Sequence, residues 1–294
     1  MSTFSKRIKN NVALIAALAC MMLAGSISAF AASPNGGQQG AATEAKKSAA
    51  DAAPVSPLAT DDCSYNFSSG VNNTFLQYCV TVNGNIMQLT TPVGQPQITR
   101  ATDGEGYGVC DVTGGIVSYS DYGLIRTTPN WNTASLVSLS GTSVKIARTT
   151  SDGIWTLTQT ITEVASNSSI KVVMALKNNT AADRNAFILR YADVDAVGQP
   201  LNNLDGTHNS AMAWMSTPRG TVNGFGLTLQ NVGTSLFDYD GFVQNIPEGP
   251  NPCNYAANFT AGVVTKTDGS LVLTYVGTIP AHGTKTYNMM YKGL

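Results

Sequence analysis

The stretch GIWTLTQTITEVASNSSIKVVMALKNNT, residues 153–180, decides the fold. In its first half Trp155, Leu157 and Ile161 alternate with Thr156, Thr158, Thr160 and Thr162. In its second half Ile170, Val172, Met174 and Leu176 fall on one side, with Lys171 and Lys177 on the other. A period of two places alternate side chains on opposite faces, which predicts two half-buried β-strands. The intervening ASNSS and the following NNTAADRN are rich in turn formers. Strands joined by so short a connection pair with each other, so an antiparallel meander is expected.

Working outward, the same signal recurs at 74–82, 85–91, 135–139, 143–149, 186–195, 225–230, 260–267, 271–276 and 284–291. No helix-period segment exceeds about two turns, so crossover helices and a parallel sheet are not expected. The fold class predicted is all-β: a large antiparallel β-sandwich, supersandwich-like in strand number and curvature, over residues 61–294. Two smaller sandwiches divided near 200–218 form the alternative. An outer-membrane barrel would need apolar outward positions, and here these are Thr, Ser, Lys and Gln.

Two segments precede this domain. Lys6, Arg7 and Lys9, then an apolar run from Val12 to Leu23, then Ala29–Ala31, have the layout of an export signal, assigned to residues 1–31. The run is too short for a membrane span of about 20 residues, so no span is expected in the mature chain. Cys20 would be the acylated residue of a lipoprotein, but Ala17 stands where Leu is usual. Residues 32–60 hold almost no large apolar side chains and read as a disordered linker. The expected localisation is secreted, either extracellular or periplasmic.

Composition narrows the function classes. The chain has 17 basic and 18 acidic residues. Removing Lys6, Arg7 and Lys9 with the leader leaves 14 against 18, a net charge near −4 without a basic stripe. A nucleic-acid partner is therefore not expected. Four cysteines remain after Cys20, and an even count in an exported protein predicts two disulfides. Cys63 and Cys79 bracket a Gly/Asn/Ser-rich turn and are paired on that ground, which leaves Cys110 with Cys253. No CxxC spacing favours zinc instead.

The chemistry-bearing candidate is YADVDAVGQPLNNLDGTHN, residues 191–209. Strand parity puts Phe187, Leu189, Tyr191, Asp193 and Asp195 on one side, running from apolar to acidic, and Ile188, Arg190, Ala192 and Val194 on the other. Asp193 and Asp195 then lie about 6.5 Å apart, since each residue advances about 3.3 Å. Like charges this close call for a cation, a shared proton or an arginine. Calcium held by Asp193, Asp195 and Asp205, with the downstream segment read as a loop, is one expectation. Against a standard calcium loop, Val197 and Leu204 occupy ligand positions. The competing reading has both aspartates bonding turn amides where the strand ends.

The binding candidates are thus Asp193, Asp195, Asp205, His208, Arg190 and Tyr191, with Trp131 in PNWN as a loop aromatic suited to a sugar ring. Trp155 and Trp214 read as core. His208 and His282 read as turn histidines, and the chain lacks a GxSxG elbow. The leading expectation is a non-catalytic domain that binds a polysaccharide or cell-surface glycan. A carbohydrate-active enzyme of hydrolase, lyase or epimerase type and a structural surface protein are the alternatives.

Overall fold

The computed structural model describes residues 63–100, 104–123, 130–215, 224–233, 238–244, 249–254 and 259–294. The leader and the linker lie outside them. Among the described residues no helix is long and apolar enough to cross a membrane.

The described chain enters through a small antiparallel sheet of β1 (Tyr65–Ser69), β2 (Leu76–Val80), β3 (Ile86–Thr90) and β4 (Pro96–Ile98). It then shuttles between two large antiparallel sheets. β5 (Glu105–Asp111) and β6 (Val117–Tyr122) belong to a six-stranded sheet. β7 (Ser135–Leu139), β8 (Ser143–Thr149), β9 (Trp155–Val164) and β10 (Ser169–Asn178) belong to a nine-stranded one. β11 (Arg184–Asp193) returns to the six-stranded sheet. β12 (Leu201–Thr207), β13 (Ser210–Trp214) and β14 (Gly226–Asn231) extend the nine-stranded sheet. β15 (Asp238–Gln244), β16 (Phe259–Thr260) and β18 (Ser270–Ile279) complete the former, while β17 (Val264–Asp268) and β19 (Thr284–Gly293) complete the latter. The orders are β16-β15-β18-β11-β5-β6 and β17-β12-β13-β14-β19-β10-β9-β8-β7.

The deciding stretch forms β9 and β10, paired antiparallel from Trp155 opposite Asn178 to Val164 opposite Ser169. Ser168 turns the corner in the left-handed region, at φ 49°. Trp155, Leu157, Ile161, Ile170, Val172, Met174 and Leu176 are all buried in one core cluster with Val109, Ile188, Ala192 and Leu273 of the facing sheet. That shared cluster makes the two sheets a single sandwich. The nine-stranded sheet takes strands from both sides of Pro200, so the division into two smaller sandwiches does not occur.

Both disulfides join the expected partners, Cys63 with Cys79 and Cys110 with Cys253, with Cα atoms 5.3 and 5.0 Å apart. The first fastens the start of β1 to β2, and the second fastens residues 249–254 to β5.

Three expectations are corrected. Residues 201–207, read as a loop, are strand β12, held between β13 and β17 despite their Asn and Asp content. The parity of β11 holds, but the side turned to the inter-sheet core is Ala186, Ile188, Arg190, Ala192 and Val194; Leu189 and Tyr191 pack in a separate cluster with Tyr122 and Val272. Arg190 is consequently an interior residue. Trp214 is not core: Ala211 and Ala213 take the inward positions of β13, so Met212 and Trp214 face outward, half-buried.

At one corner the backbones of the two sheets nearly touch. A Cβ added at Gly241 of β15 would overlap the carbonyl oxygens of Ser210 and Thr207, and one added at Gly206 would meet Thr260 O and Gly241 O at 3.0 and 3.1 Å. Backbone atoms cannot rotate away. Gly241→Ala should therefore lower stability in urea unfolding by about 1–3 kcal/mol. Gly141→Ala, with nothing within 4 Å of the new methyl, should leave it nearly unchanged.

Candidate functional site

Two polar constellations stand out, one interior and one on the outer sheet face; of the charged candidates, Arg190 belongs to the first and Asp205 to the second. The interior one begins at Arg190. Its side chain and that of Glu105 on the adjacent β5 are both fully buried and form an ion pair. Arg190 Nη2 also donates to Glu105 Oε2 at 2.9 Å, Nη1 donates to Gln159 Oε1 of β9 at 2.5 Å, and Tyr291 OH of β19 donates to Glu105 Oε1 at 2.8 Å. Burial is the largest influence on both groups. It pushes the Glu105 carboxyl up and opposes the Arg190 charge, yet Glu105 and Tyr291 together hold the guanidinium above its ordinary value.

A second buried pair lies beside it. Arg148 of β8 meets Asp121 of β6, and Arg148 Nη1 donates to Tyr107 OH at 3.0 Å. Burial raises the Asp121 carboxyl, while Arg148 and Asn85 pull it down.

The turn between β2 and β3 closes this chamber. Gly84 O accepts from Arg190 Nη2 at 3.1 Å, and Asn83 O accepts from Tyr107 OH at 3.0 Å and from Gln159 Nε2 at 3.2 Å. Asn85 Nδ2 donates to Asp121 Oδ1 at 2.8 Å, and Ile86 N–H donates to Glu105. Gly84 sits at φ 93°, and a Cβ there would strike the Gln159 amide, so the position suits glycine twice over. The small sheet thus plugs the sandwich with its turn, whose backbone satisfies the buried charges.

The expected rim residues are dispersed. Asp193 ends β11, mostly buried, with its N–H donating to Gly104 O at 2.8 Å. Asp195 donates its N–H to Gln97 O at 3.0 Å, and its carboxylate accepts from the Thr99 hydroxyl. It also raises the carboxyl of Asp268, second in effect to that group's burial. Asp205 lies on the outer face of β12, opposite Met212. Among the described residues no group of three His, Cys, Asp or Glu is placed to hold a metal, so Asp193, Asp195 and Asp205 do not assemble into the calcium cluster expected of them. Tyr191 is buried, its hydroxyl accepting from Ser270 Oγ at 3.2 Å.

Trp131, read as either a sugar-stacking or a structural aromatic, is buried. It is 7% exposed, set edge-on to Tyr107 and Tyr119, with the Arg148 guanidinium 5.3 Å from its ring centroid. His208 does occupy a surface turn, between β12 and β13, where its Nδ1 lies 2.7 Å from Asp240 Oδ1 of β15.

The outer constellation spreads over β12, β13 and β14. Trp214 stands opposite Asn203 on one side and Gly226 on the other; Met212 stands opposite Asp205 and Thr228. Gly226 has no side chain to cover its neighbour, and a Cβ there would collide with Trp214 Cα at 2.8 Å. Lys292 of β19, opposite Thr228, is exposed beyond. Sequence reading missed Trp214, although the Ala-Met-Ala-Trp alternation carries the signal: small residues inward leave the indole outside. It also missed Gln159, which falls on the inward parity of β9 between Leu157 and Ile161.

No family model matches the chain, and no curated protein matches it. Solved structures do resemble it in fold. A bacterial glucoamylase complexed with acarbose aligns at a TM-score of 0.49 and 10% identity, over 79% of this chain and 32% of that one. A heparan sulfate lyase from Pedobacter heparinus aligns at 0.44 and 12%, over 78% and 34%. A galactose mutarotase related enzyme from Lactobacillus acidophilus aligns at 0.42 and 6%, over 78% and 97%. The chain spans about a third of the first two.

Proposed function

We propose that the protein is an exported, non-catalytic domain that binds a polysaccharide or cell-surface glycan on the outer face of its nine-stranded sheet. One observation carries this reading: the half-buried Trp214 shares the outer face of the nine-stranded sheet with half-buried Met212 and Asp205 and with exposed Lys292. A flat aromatic face complements the C–H face of a sugar ring at little entropic cost, and neighbouring carboxylate and ammonium groups suit its hydroxyls. The interior ion pairs serve the fold instead, because Arg190, Glu105, Arg148 and Asp121 are closed to solvent.

Retention on polysaccharide affinity gels and glycan arrays, without product formation, tests the proposal. Trp214→Ala should weaken retention at least about tenfold, as loss of a central aromatic anchor costs about 2 kcal/mol. Equal retention by wild type and Trp214→Ala would remove the assignment of this face.

A second reading draws on the His208 and Asp240 pair, since a carboxylate on Nδ1 orients an imidazole as a general base. It requires turnover of a glycan substrate by the wild type and its loss in His208→Asn.

A further inference from the structure

We infer that the free edge of β7 is an interface through which two copies of this chain pair, joining their nine-stranded sheets into one continuous sheet. The inference rests on the overhang of one sheet past the other. The six-stranded sheet ends at β6, which faces β8 through the contact of Asp121 with Arg148. β7 lies one strand further out, paired to β8 alone among the described strands. All five of its residues are exposed.

Its register tells which residues continue the core. Leu139 lies opposite Val144 and Leu136 opposite Ile146, with a register shift between Leu136 and Ser138. Val144 and Ile146 are fully buried on the inner face. The irregularity turns both leucines to that same face, three positions apart, where regular alternation would set them on opposite sides. The apolar interior therefore runs on past β6 onto a ledge of Leu136 and Leu139, 50% and 55% exposed. Val137, 52% exposed, stands between them.

The other edges of the sandwich are guarded. β17 carries Lys266 and Asp268, with Lys266 at φ 53°. β16 has only two residues. β6 has its Ser118 carbonyl taken by Asn130 Nδ2 at 2.9 Å, and its Tyr122 hydroxyl donates to Pro250 O. From Asn132 to Thr142 the chain has no charge at all. Charge on the edge is a usual means of preventing strand pairing, and β7 lacks the charge that would repel a partner strand.

The occupant that fits is a second copy, because the strand is complementary to itself. Antiparallel pairing about a two-fold axis between Val137 and Ser138 sets Leu136 opposite Leu139 of the second copy, and Leu139 opposite its Leu136. Each uncovered leucine then covers another, and neither strand meets a charge. This is the isologous geometry of a closed two-fold dimer.

Sedimentation equilibrium of the full chain after leader removal, over a concentration series, tests the inference. A monomer–dimer equilibrium is expected, with amides of Ser135–Leu139 gaining hydrogen-exchange protection as concentration rises. Leu136→Lys should raise the dimer dissociation constant by on the order of 100-fold, because each lysine would be placed opposite a leucine. Its circular dichroism and melting should stay unchanged, since Leu136 is half exposed in the monomer. A chain that stays monomeric throughout, or a dimer indifferent to both Leu136→Lys and Leu139→Lys, overturns it.

Discussion

Arg190→Met is expected to cost about 3–5 kcal/mol in equilibrium unfolding, the usual result of leaving one member of a buried ion pair without its partner. The loss falls on Glu105, whose carboxylate keeps, among the described residues, the Ile86 N–H and the Tyr291 hydroxyl as donors. It falls also on Gly84 O and Gln159 Oε1, both of which lose a donor. The double variant Arg190→Met with Glu105→Gln removes both charges, keeps one amide oxygen to accept from the Ile86 N–H and turns an amide N–H toward the Tyr291 hydroxyl, which can accept it. It should be more stable than the single variant by at least about 1 kcal/mol, the coupling expected of contacting residues. Hydrogen exchange in Arg190→Met should rise first at residues 81–86, because that turn is bound through the same guanidinium. A single-variant cost below about 1 kcal/mol would mean that water reaches the pair.

The second large effect concerns the Cys110–Cys253 bridge. It closes a loop with a sequence separation of 143, against 16 for Cys63–Cys79. On the chain-entropy account the long loop is worth about 5 kcal/mol and the short one about 3. Replacing Cys110 and Cys253 with serine should therefore lower stability more than replacing Cys63 and Cys79. The long bridge also presses Pro252 onto β5, where a Cβ at Gly108 would meet it at 2.9 Å. Thermal melting of both double-serine variants in parallel checks the order. A reversed ranking would show that native packing around residues 249–254 contributes little.

Much of the architecture was legible because β9 and β10 bury one face and wet the other, and the alternation is written into Trp155–Leu176. The cysteine pairing was legible from local turn content. β5 was not, since Glu105–Asp111 is buried at every position and its glycines and charges break the apolar rhythm. β12 was not, since Asn202, Asn203 and Asp205 resemble turn residues until neighbouring strands supply their backbone partners. The site was harder still. Arg190 meets Glu105 across 85 positions of sequence and Gln159 across 31. No local pattern announces such a meeting. Gln159 on the inward parity of β9 was the one readable hint that a charge awaited it inside.

The place of β19 in the nine-stranded sheet has a consequence for assembly. It lies between β14 and β10, so it alone bridges the block β17-β12-β13-β14 to the block β10-β9-β8-β7. A chain emerging from its N-terminus forms both blocks before the strand that unites them exists. Until this keystone is inserted, two inner edges lie open at the middle of the sheet, where they are most prone to wrong partners. The slow step in acquiring the native state should accordingly be this long-range insertion, with the hairpins already formed on either side.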